Sequence, residues 1–555
     1  MNHSMAIRLP GLAERINHWI ILSGVIAVAI LLRILLLVLN AFPFNSDEAI
    51  VALMARHILH GIDFPLFFYG QAYMGSFDAI LVALGFGLFG EQVWVIRLVQ
   101  IILYTGLILT TYFIALNISQ TRTLALLASL FMMIPSINIT LYTTVSLGGY
   151  GEALLIGNLI LLCALLIRNE IRNFEFIKPK LSFLFGILIG FGFWVFGLTL
   201  VFSISAMIYL GWLVKKTAFY REKTDAFRKI LLYIVVGTIL GLTPVIFHVL
   251  SGGAGAVIRE LTGSAIAGAG GDTLIQQITT SLVSFLIIGL TAILGIRPPW
   301  EVRWLILPLV PFVLMFWAAA VYFYLKKDSL VRKSLADQGL LLLLVVVLTV
   351  SGFVLTPFGA DPSGRYFLPL AVPMVILAAA FTWQMYLRWK PWLWILPAFI
   401  LSFHLLGIFQ SALSNPPGIT TQFDAVAQVN HAYDQELMDF LNKNNIHTGY
   451  SNYWVAYPLA FLSHESLIFV PVLPYHEDFR YTTRDNRYLP YNDMVIVSPK
   501  SAYITTKHPD LNQYIREQFT NHQIYWSEQS IGDYQIFYDL SEPITPAAIG
   551  LGANR

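Results

Sequence analysis

Long apolar runs recur along the first 414 residues of this chain, and they constrain its fold more than any other feature. Each of the following is long enough, or nearly long enough, to cross a bilayer as a helix: 19–40, 93–117, 121–137, 150–168, 181–196, 197–214, 229–250, 303–325, 338–357, 366–386 and 391–411. Only 12% of the residues are charged, against a usual share of about 25%. We therefore predict a mainly α-helical, multi-pass membrane protein with about 11 spans.

Two shorter or more polar runs, 75–90 and 274–295, leave the topology open. If both lie in the outer interface instead of crossing, the basic residues gather on one side of the membrane. The basic connections are then 8–15, 122, 168–180, 215–229, 326–333 and 388–390. The positive-inside rule makes that side cytoplasmic, so we expect a cytoplasmic amino terminus. The first loop, 41–92, and the carboxyl-terminal tail then face outward. The chain shows no archaeal or eukaryotic targeting feature, so we expect a bacterial plasma (inner) membrane.

Two adjacent carboxylates, Asp47 and Glu48, follow the first apolar run directly. Asn45 with Glu48 three residues later fits the cap of a helix, and Asp47 favours the positive end of a helix dipole. An aromatic, glycine-rich passage then runs from 64 to 77, and aromatic rings with a polar edge favour the membrane boundary. A paired acid above such a platform suggests chemistry on a lipid-borne substrate. Capping and chemistry are compatible, because a helix start is a rigid mount for a base.

Other candidate residues stand at the predicted outer ends of spans. Arg365, in the turn-rich passage TPFGADPSGRYFLPL, carries a guanidinium that suits bidentate binding of a phosphate. Arg97 is a second cation of this kind. Both arginines also fit an anchor at the membrane boundary, as does Tyr366 beside Arg365. Glu152, in SLGGYGE, fits either a helix cap or a site.

The composition changes at about residue 415 to that of a soluble domain. We predict helices at 432–444, 453–462 and 511–519, and strands at 467–472, 494–497, 523–526 and 534–538. This alternation predicts a small α/β domain over 415–555, after a membrane domain over 1–414. The tail has no glycine-rich nucleotide fingerprint, zinc spacing or nucleophile elbow. We expect no nucleic-acid partner.

The motifs of the membrane part, taken in order, resemble the GT-C superfamily of membrane glycosyltransferases. They are SDEA after the first span, FFYGQAYMGSFDA ending in LFG, an arginine opening the next span, and GRYFLPLAVP late in the membrane part. More closely, the chain is similar to the family 39 glycosyltransferases, the protein O-mannosyltransferase and aminoarabinose-transferase group. The resemblance runs from about residue 20 to 410.

The resemblance implies an inverting transfer of a hexosyl or pentosyl group from a polyprenyl-phosphate carrier to a hydroxyl on the outer face. The acceptor is a membrane lipid, a glycan or a protein. The family's catalytic acid falls on Asp47, with Glu48 beside it. Arg365 and Arg97 are then the candidates to bind the donor phosphate. The candidates to line the substrate site are Tyr69, Gln71, Tyr73, Glu152 and Tyr366.

Relatives that act on lipid A often carry a Lys-Pro-Pro passage where this chain has YGQAY. The contact of that lysine with the donor phosphate therefore has no counterpart here. We expect no required cofactor. A divalent metal is compatible with the site, and Asp47 and Glu48 would be its ligands, although two adjacent acids do not predict one.

The competing interpretation is a transporter or flippase of lipid-linked sugars without transferase activity. It explains the spans and the interfacial aromatic residues equally well. Transporters often carry internal repeats with broken helices in matching halves, and the sequence shows no such repeat. The acids also stand at a loop start, away from the bilayer midplane, which favours the enzyme.

Overall fold

Helices form most of the membrane part of this protein. The computed structural model describes residues 12–172, 178–216, 224–261, 274–356, 358, 361, 363–389 and 395–552. The α-helices of its membrane part are Leu12–Val38, Ser46–Leu59, Phe77–Phe89, Val93–Ser119, Arg122–Met133, Ile137–Tyr142, Tyr150–Arg172, Pro179–Val195, Leu200–Lys216, Thr224–Gly241, Thr243–His248, Ala254–Leu261, Leu274–Ser284, Leu290–Ile293, Val310–Leu325, Leu330–Leu335, Gly339–Leu355, Ala371–Trp389 and Ile395–Ser414.

The described residues contain nine helices long and apolar enough to cross a membrane. The count is ten if Phe227–Gly241 and Thr243–Glu260, which meet at a bend of 55°, form one span. The predicted runs 121–137 and 181–196 form shorter apolar helices, of 12 and 17 residues.

Residues 274–295, which we predicted to lie in or dip into the outer interface, form a longer helix than that prediction required. They form a helix that is long and apolar enough to cross over Ile275–Ile293. The polar residues at its start do not prevent this, because a helix can satisfy a hydroxyl internally. Thr279 Oγ1, for example, donates to the Ile275 carbonyl at 2.8 Å.

Glycines allow two membrane helices, Pro179–Val195 and Thr224–Gly241, to touch backbone to backbone. A Cβ at Gly186 would lie 2.2 Å from the Ile234 carbonyl oxygen, and one at Gly237 would lie 2.3 Å from the Phe183 carbonyl oxygen. Small residues at the interface commonly allow membrane helices to approach this closely.

The first loop begins with a capped helix. Asn45 Oδ1 accepts a hydrogen bond from the Glu48 backbone N–H at 3.1 Å, so the predicted cap is confirmed. We call this helix, Ser46–Leu59, the loop helix. It is followed by an antiparallel hairpin of β1, Phe67–Phe68, and β2, Gln71–Gly75.

The tail folds into a mixed sheet, which confirms the predicted α/β architecture. Its strands are β3 Thr448–Ser451, β4 Ile468–Pro471, β5 Ala502–Thr506, β6 Ser527–Ile531 and β7 Tyr534–Tyr538, in the order β4-β3-β5-β7-β6. Strands β3, β4 and β5 are parallel, and β7 pairs antiparallel with β5 and β6. The tail helices are Asp434–Lys443, Tyr453–Leu462, Pro490–Ile496 and Pro509–Asn521.

Two predicted strands of the tail were wrong. Residues 494–497 lie at the end of a short helix, Pro490–Ile496. The strand that we predicted there is replaced in the sheet by β5, at Ala502–Thr506. The run 523–526 precedes β6, which begins at Ser527. Short apolar runs do not distinguish a strand from a buried helix.

The tail packs on the first loop through the helix Tyr453–Leu462, which we call the docking helix. Its Phe461 ring lies 5.6 Å from the ring of Phe44 and 6.0 Å from that of Phe86. One continuous hydrophobic core therefore includes both the membrane helices and part of the tail. The domain boundary at 414/415 stays a prediction.

Candidate functional site

A polar cavity of about 290 Å³ lies where the first loop, the tail and the ends of the membrane helices meet. Its lining residues are Asp47, Phe68, Gln71, Tyr73, Met74, Leu147, Tyr150, Glu260, Phe358, Arg365, Tyr366, Thr482, Arg484, Asp485 and Arg487. Five of the predicted site residues are among them: Asp47, Gln71, Tyr73, Arg365 and Tyr366. The cavity therefore combines carboxylates, guanidinium groups and aromatic rings.

Asp47 stands in the first turn of the loop helix and is held by the tail. The Tyr453 hydroxyl donates to Asp47 Oδ1 at 2.5 Å. Burial raises the pKa of Tyr453 well above its ordinary value, and the nearby Asp47 raises it further. The phenol therefore stays protonated and acts as the donor. Ser46 Oγ donates to the Tyr453 carbonyl at 2.5 Å, which joins the two helices beside the carboxylate.

Three arginines line the cavity, and the protein gives each a different partner. Arg365 Nη2 lies 2.5 Å from Asp361 Oδ2. Arg484 Nη2 lies 3.0 Å from both carboxylate oxygens of Glu260. With its amide oxygen turned toward Arg487, Gln71 accepts from both Nη atoms of that arginine, at 2.6 and 2.8 Å. The guanidinium groups are thus fixed in place around the cavity.

The tail residues of this site were missed by the sequence analysis. Arg484 and Asp485 lie in the short helix Thr483–Asp485, and Arg487 lies between it and the helix Pro490–Ile496. The available signal was the density of arginine, aspartate and tyrosine in FRYTTRDNRYLPY, at 479–491. Glu260, at the end of Ala254–Leu261, was also not predicted as a site residue.

Glu48 and Arg97 form a buried ion pair and do not line the cavity. Arg97 Nε and Nη2 donate to the two carboxylate oxygens of Glu48, each at 3.1 Å. Arg97 Nη2 also donates to the Phe42 carbonyl at 3.1 Å. Burial raises the pKa of Glu48, and Arg97 opposes that shift. The pair joins the loop helix to the helix Val93–Ser119. We predicted both residues to belong to the site, but neither lines the cavity.

Tyr69 and Glu152 also lie outside the lining of the cavity. The Tyr69 hydroxyl is 2.8 Å from His57 Nδ1 and donates to Asp63 Oδ2 at 3.1 Å. Glu152 is buried beside Asp78, and Gln100 Nε2 donates to both carboxyl groups, at 3.3 and 3.1 Å. Tyr69 and Glu152 are therefore hydrogen-bonded to other side chains of the protein, away from the cavity lining.

An apolar groove of about 220 Å³ adjoins the polar cavity. Its lining residues are Tyr73, Phe196, Gly197, Leu198, Leu200, Val201, Glu260, Thr349, Gly352, Phe353, Thr356, Phe358 and Tyr366. Four of these, Tyr73, Glu260, Phe358 and Tyr366, line the polar cavity as well. Much of the groove belongs to Gly197–Lys216 and Leu330–Leu355, both apolar enough to cross a membrane. The two spaces together suit a molecule with a polar head and an apolar chain.

Within the described residues, no group of three or more His, Cys, Asp or Glu side chains is arranged to hold a metal ion. Glu48 is occupied by Arg97, so an ion at Asp47 would need ligands from the substrate or water. A role for a divalent metal stays a prediction.

Solved structures of two glycosyltransferases resemble this chain. ArnT from Cupriavidus metallidurans in the apo state aligns with a TM-score of 0.57 at 12% identity, over 93% of this chain and 98% of that one. The same enzyme bound to undecaprenyl phosphate gives a TM-score of 0.54 at 11% identity, over 94% and 98%. The chain has the GT-C fold.

This result confirms the fold predicted from the sequence motifs. The apo oligosaccharyltransferase of Archaeoglobus fulgidus, also a GT-C enzyme, aligns with a TM-score of 0.50 at 12% identity, over 88% of this chain and 69% of that one. No protein-family model matches the sequence, and a search of curated proteins finds no match. The GT-C likeness is therefore one of three-dimensional structure.

Proposed function

We propose that this protein is an inverting glycosyltransferase that moves a hexosyl or pentosyl group from a polyprenyl-phosphate-linked donor to a hydroxyl acceptor on the outer face of the membrane. One observation carries the proposal. Asp47 faces a polar cavity that merges, at Tyr73 and Tyr366, with an apolar groove. Such a site accommodates a lipid-linked sugar, and the GT-C neighbour ArnT has been solved with a lipid phosphate bound.

The donor would place its polyprenyl chain in the groove and its phosphate at the junction. Arg365, which lines the polar cavity there, is the cation best placed to meet that phosphate. Its Nε atom is buried and has no hydrogen-bond partner within the described residues. A fixed guanidinium stabilises negative charge that develops on a leaving group.

Asp47 would act as the base on the other side of the sugar. It takes the proton of the acceptor hydroxyl as that oxygen attacks the anomeric carbon from the face opposite the phosphate. The bond from the anomeric carbon to the phosphate oxygen breaks, polyprenyl phosphate leaves, and the configuration inverts. A positioned base contributes about 10²–10⁴-fold, and holding both substrates in one cavity contributes more.

The test uses purified full-length protein in liposomes with radiolabelled polyprenyl-phosphate hexoses and pentoses. Release of sugar from the carrier is followed with and without an envelope fraction as acceptor. We expect turnover by the wild type and none by Asp47→Asn, which should stay folded because the asparagine oxygen can still accept from Tyr453 and loss of the first-turn charge costs only about 0.3–1 kcal/mol. The matched control is Asp63→Asn, since Asp63 lies on the same loop but bonds Tyr69 outside the cavity.

The same liposomes separate this function from transport. A lipid that changes leaflet while keeping its sugar would support the flippase interpretation instead. Full turnover by a folded Asp47→Asn variant would contradict the role of Asp47.

A further inference from the structure

The docking helix positions two carboxyl groups in the cavity. Tyr453 and Tyr457 are four residues apart on it, so they share one face. The Tyr453 hydroxyl holds Asp47. The Tyr457 hydroxyl donates to the Asp485 carbonyl at 3.1 Å and accepts from the Arg487 backbone N–H at 2.5 Å. The first loop and the tail are thus aligned against each other by a single helix.

Asp485 is the second of these carboxyl groups. Its residue is 7% exposed and lines the polar cavity. Its backbone N–H donates to the Thr482 carbonyl at 3.0 Å, which closes a turn. Together with the two bonds of Tyr457, this turn fixes where the Asp485 side chain begins.

The cavity wall contains three carboxylates, and two of them are already bound by the protein. Asp47 accepts from Tyr453. Glu260 accepts from Arg484 with both oxygens. In the described part of the chain, the Asp485 carboxylate receives neither a hydrogen bond nor an ion pair, yet it is buried. Buried polar groups are nearly always hydrogen-bonded, so this carboxylate is available to a ligand.

A matching donor lies two residues further along. Arg487 Nε is buried and has no hydrogen-bond partner among the residues that the structure describes, although the Nη atoms of the same side chain face Gln71. A hydroxyl group both donates and accepts. A carboxylate and a guanidinium N–H on one segment therefore suit a hydroxyl, whereas a carboxylate repels a phosphate or a uronic acid.

We propose that Asp485, with Arg487 beside it, binds hydroxyl groups of the transferred sugar, so that the tail selects a neutral donor sugar. This inference rests on the glycosyl transfer proposed above. The sugar is the part of the donor that occupies the polar cavity when the lipid chain lies in the groove. Asp485 is then a substrate-binding residue, distinct from Asp47, the base.

The first experiment measures donor KM and kcat for Asp485→Asn, which keeps the size of the side chain. We expect the donor KM to rise roughly 10-fold or more, the usual worth of a hydrogen bond to a charged group, with kcat little changed. The control is Asp478→Asn, because Asp478 lies nearby in the tail but its side chain is 57% exposed and pairs with Arg480. A rise in acceptor KM with an unchanged donor KM would overturn the inference.

The second experiment uses donors that each lack one sugar hydroxyl. In the wild type, at least one such donor should lose roughly 10-fold in kcat/KM. In Asp485→Asn, the kcat/KM for that donor should be only slightly lower than for the complete donor, since the partner of the missing hydroxyl has already been removed. Equal losses in both proteins for every donor would overturn the inference. If the Asn variant does not fold, Asp485→Ala takes its place in the same comparison.

The two proposals fail in different ways. A wild type that releases sugar from none of the donors contradicts the glycosyltransferase proposal and this inference with it. A wild type that turns over, beside an Asp485→Asn protein with unchanged donor KM, contradicts only the assignment of Asp485.

Discussion

A single phenol, Tyr453, orients the carboxylate of Asp47 at 2.5 Å. Replacing Tyr453 with Phe removes that hydrogen bond and leaves the ring in place. We expect kcat to fall roughly 10- to 100-fold, since a hydrogen bond to a charged group is worth about 1.5–3 kcal/mol. Steady-state kinetics with saturating donor measure the effect, and donor KM should change little.

Tyr457→Phe is the matched control for that variant. Tyr457 lies one turn away on the same helix and holds the segment of Asp485 and Arg487. Its loss should therefore raise donor KM more than it lowers kcat. Identical kinetics of the two variants would show that the docking helix acts as a unit and that the two carboxyl groups have no separate roles.

Protonation of Asp485 should make donor binding depend on pH. Burial raises the pKa of Asp485 to about 7. The charged and titratable groups that act on it are Arg487, His476 and Arg484, which lower this pKa, Asp47, which raises it, and the phenols Tyr475 and Tyr481. The carboxylate is charged above this pH and gains a proton as the pH falls through it, so its hydrogen bonds to sugar hydroxyls weaken.

We therefore expect donor KM to rise roughly 10-fold from about pH 8 to about pH 6, the change in the ionised fraction of a group that titrates between them. Donor KM measured across this range in wild type and Asp485→Asn is the check. The variant should lose the dependence. A dependence that persists in Asp485→Asn would assign the titration to another group.

The sequence predicted Asp47 as a site residue but not Asp485, and the reason is physical. Asp47 follows a membrane span and starts a helix, so its position along the chain already indicates an exposed, rigid mount. Asp485 owes its place to the Tyr457 hydroxyl and to the packing of the tail on the first loop. Contacts across more than 400 residues, such as Asp47 with Tyr453, leave no periodic pattern in one sequence.

At the scale of elements, the loop helix depends on its buried ion pair. Glu48 is fully buried and is bound by Arg97 through two hydrogen bonds of 3.1 Å. Arg97→Met should destabilise the protein by about 3–5 kcal/mol, because it leaves a buried carboxylate without its partner. Thermal unfolding of the purified protein in detergent measures this loss.

The double variant Glu48→Gln with Arg97→Met should recover part of that stability, since the unpaired charge is removed. Loss of stability in the single variant and recovery in the double variant would show that Glu48 and Arg97 are a structural ion pair and not a phosphate-binding site. A stable Arg97→Met protein with a raised donor KM would instead restore the role in donor binding that we predicted from the sequence.

The elements themselves were predicted unevenly. Apolar length and charge located most of the membrane helices, because the bilayer imposes both requirements on the chain. For 274–295 the clustered polar residues at the start of the helix favoured the interface, whereas the length and apolarity of the whole helix also allow it to cross. In the tail, local β propensity misplaced two strands, and in one case the sheet contains β5 instead, whose five residues are all buried.

At the scale of the whole molecule, the tail completes the site instead of standing apart from it. Asp47 and Gln71 come from the first loop, Arg365 from the start of a late membrane helix, and Asp485 and Arg487 from the tail. The cavity exists only when these parts are docked. Activity should therefore report on the docking, even for variants far from the substrate.

Arg56 offers a direct test of that docking. Its guanidinium lies 2.6 Å from Glu91, donates to the Phe461 carbonyl at 3.1 Å and lies 4.5 Å from the Phe461 ring centroid. Arg56→Ala should weaken the docking by about 1.5–3 kcal/mol, because it removes a charged hydrogen bond from the first loop to the Phe461 carbonyl of the tail. We expect faster limited proteolysis between residues 415 and 447, together with lower turnover, because Tyr453 no longer holds Asp47. The control is Arg516→Ala in the tail, whose pair with Glu528 is more exposed and worth at most about 1 kcal/mol. Turnover that falls while proteolysis stays at the wild-type rate would contradict the link between docking and activity, because it would place the effect of Arg56 inside the first loop.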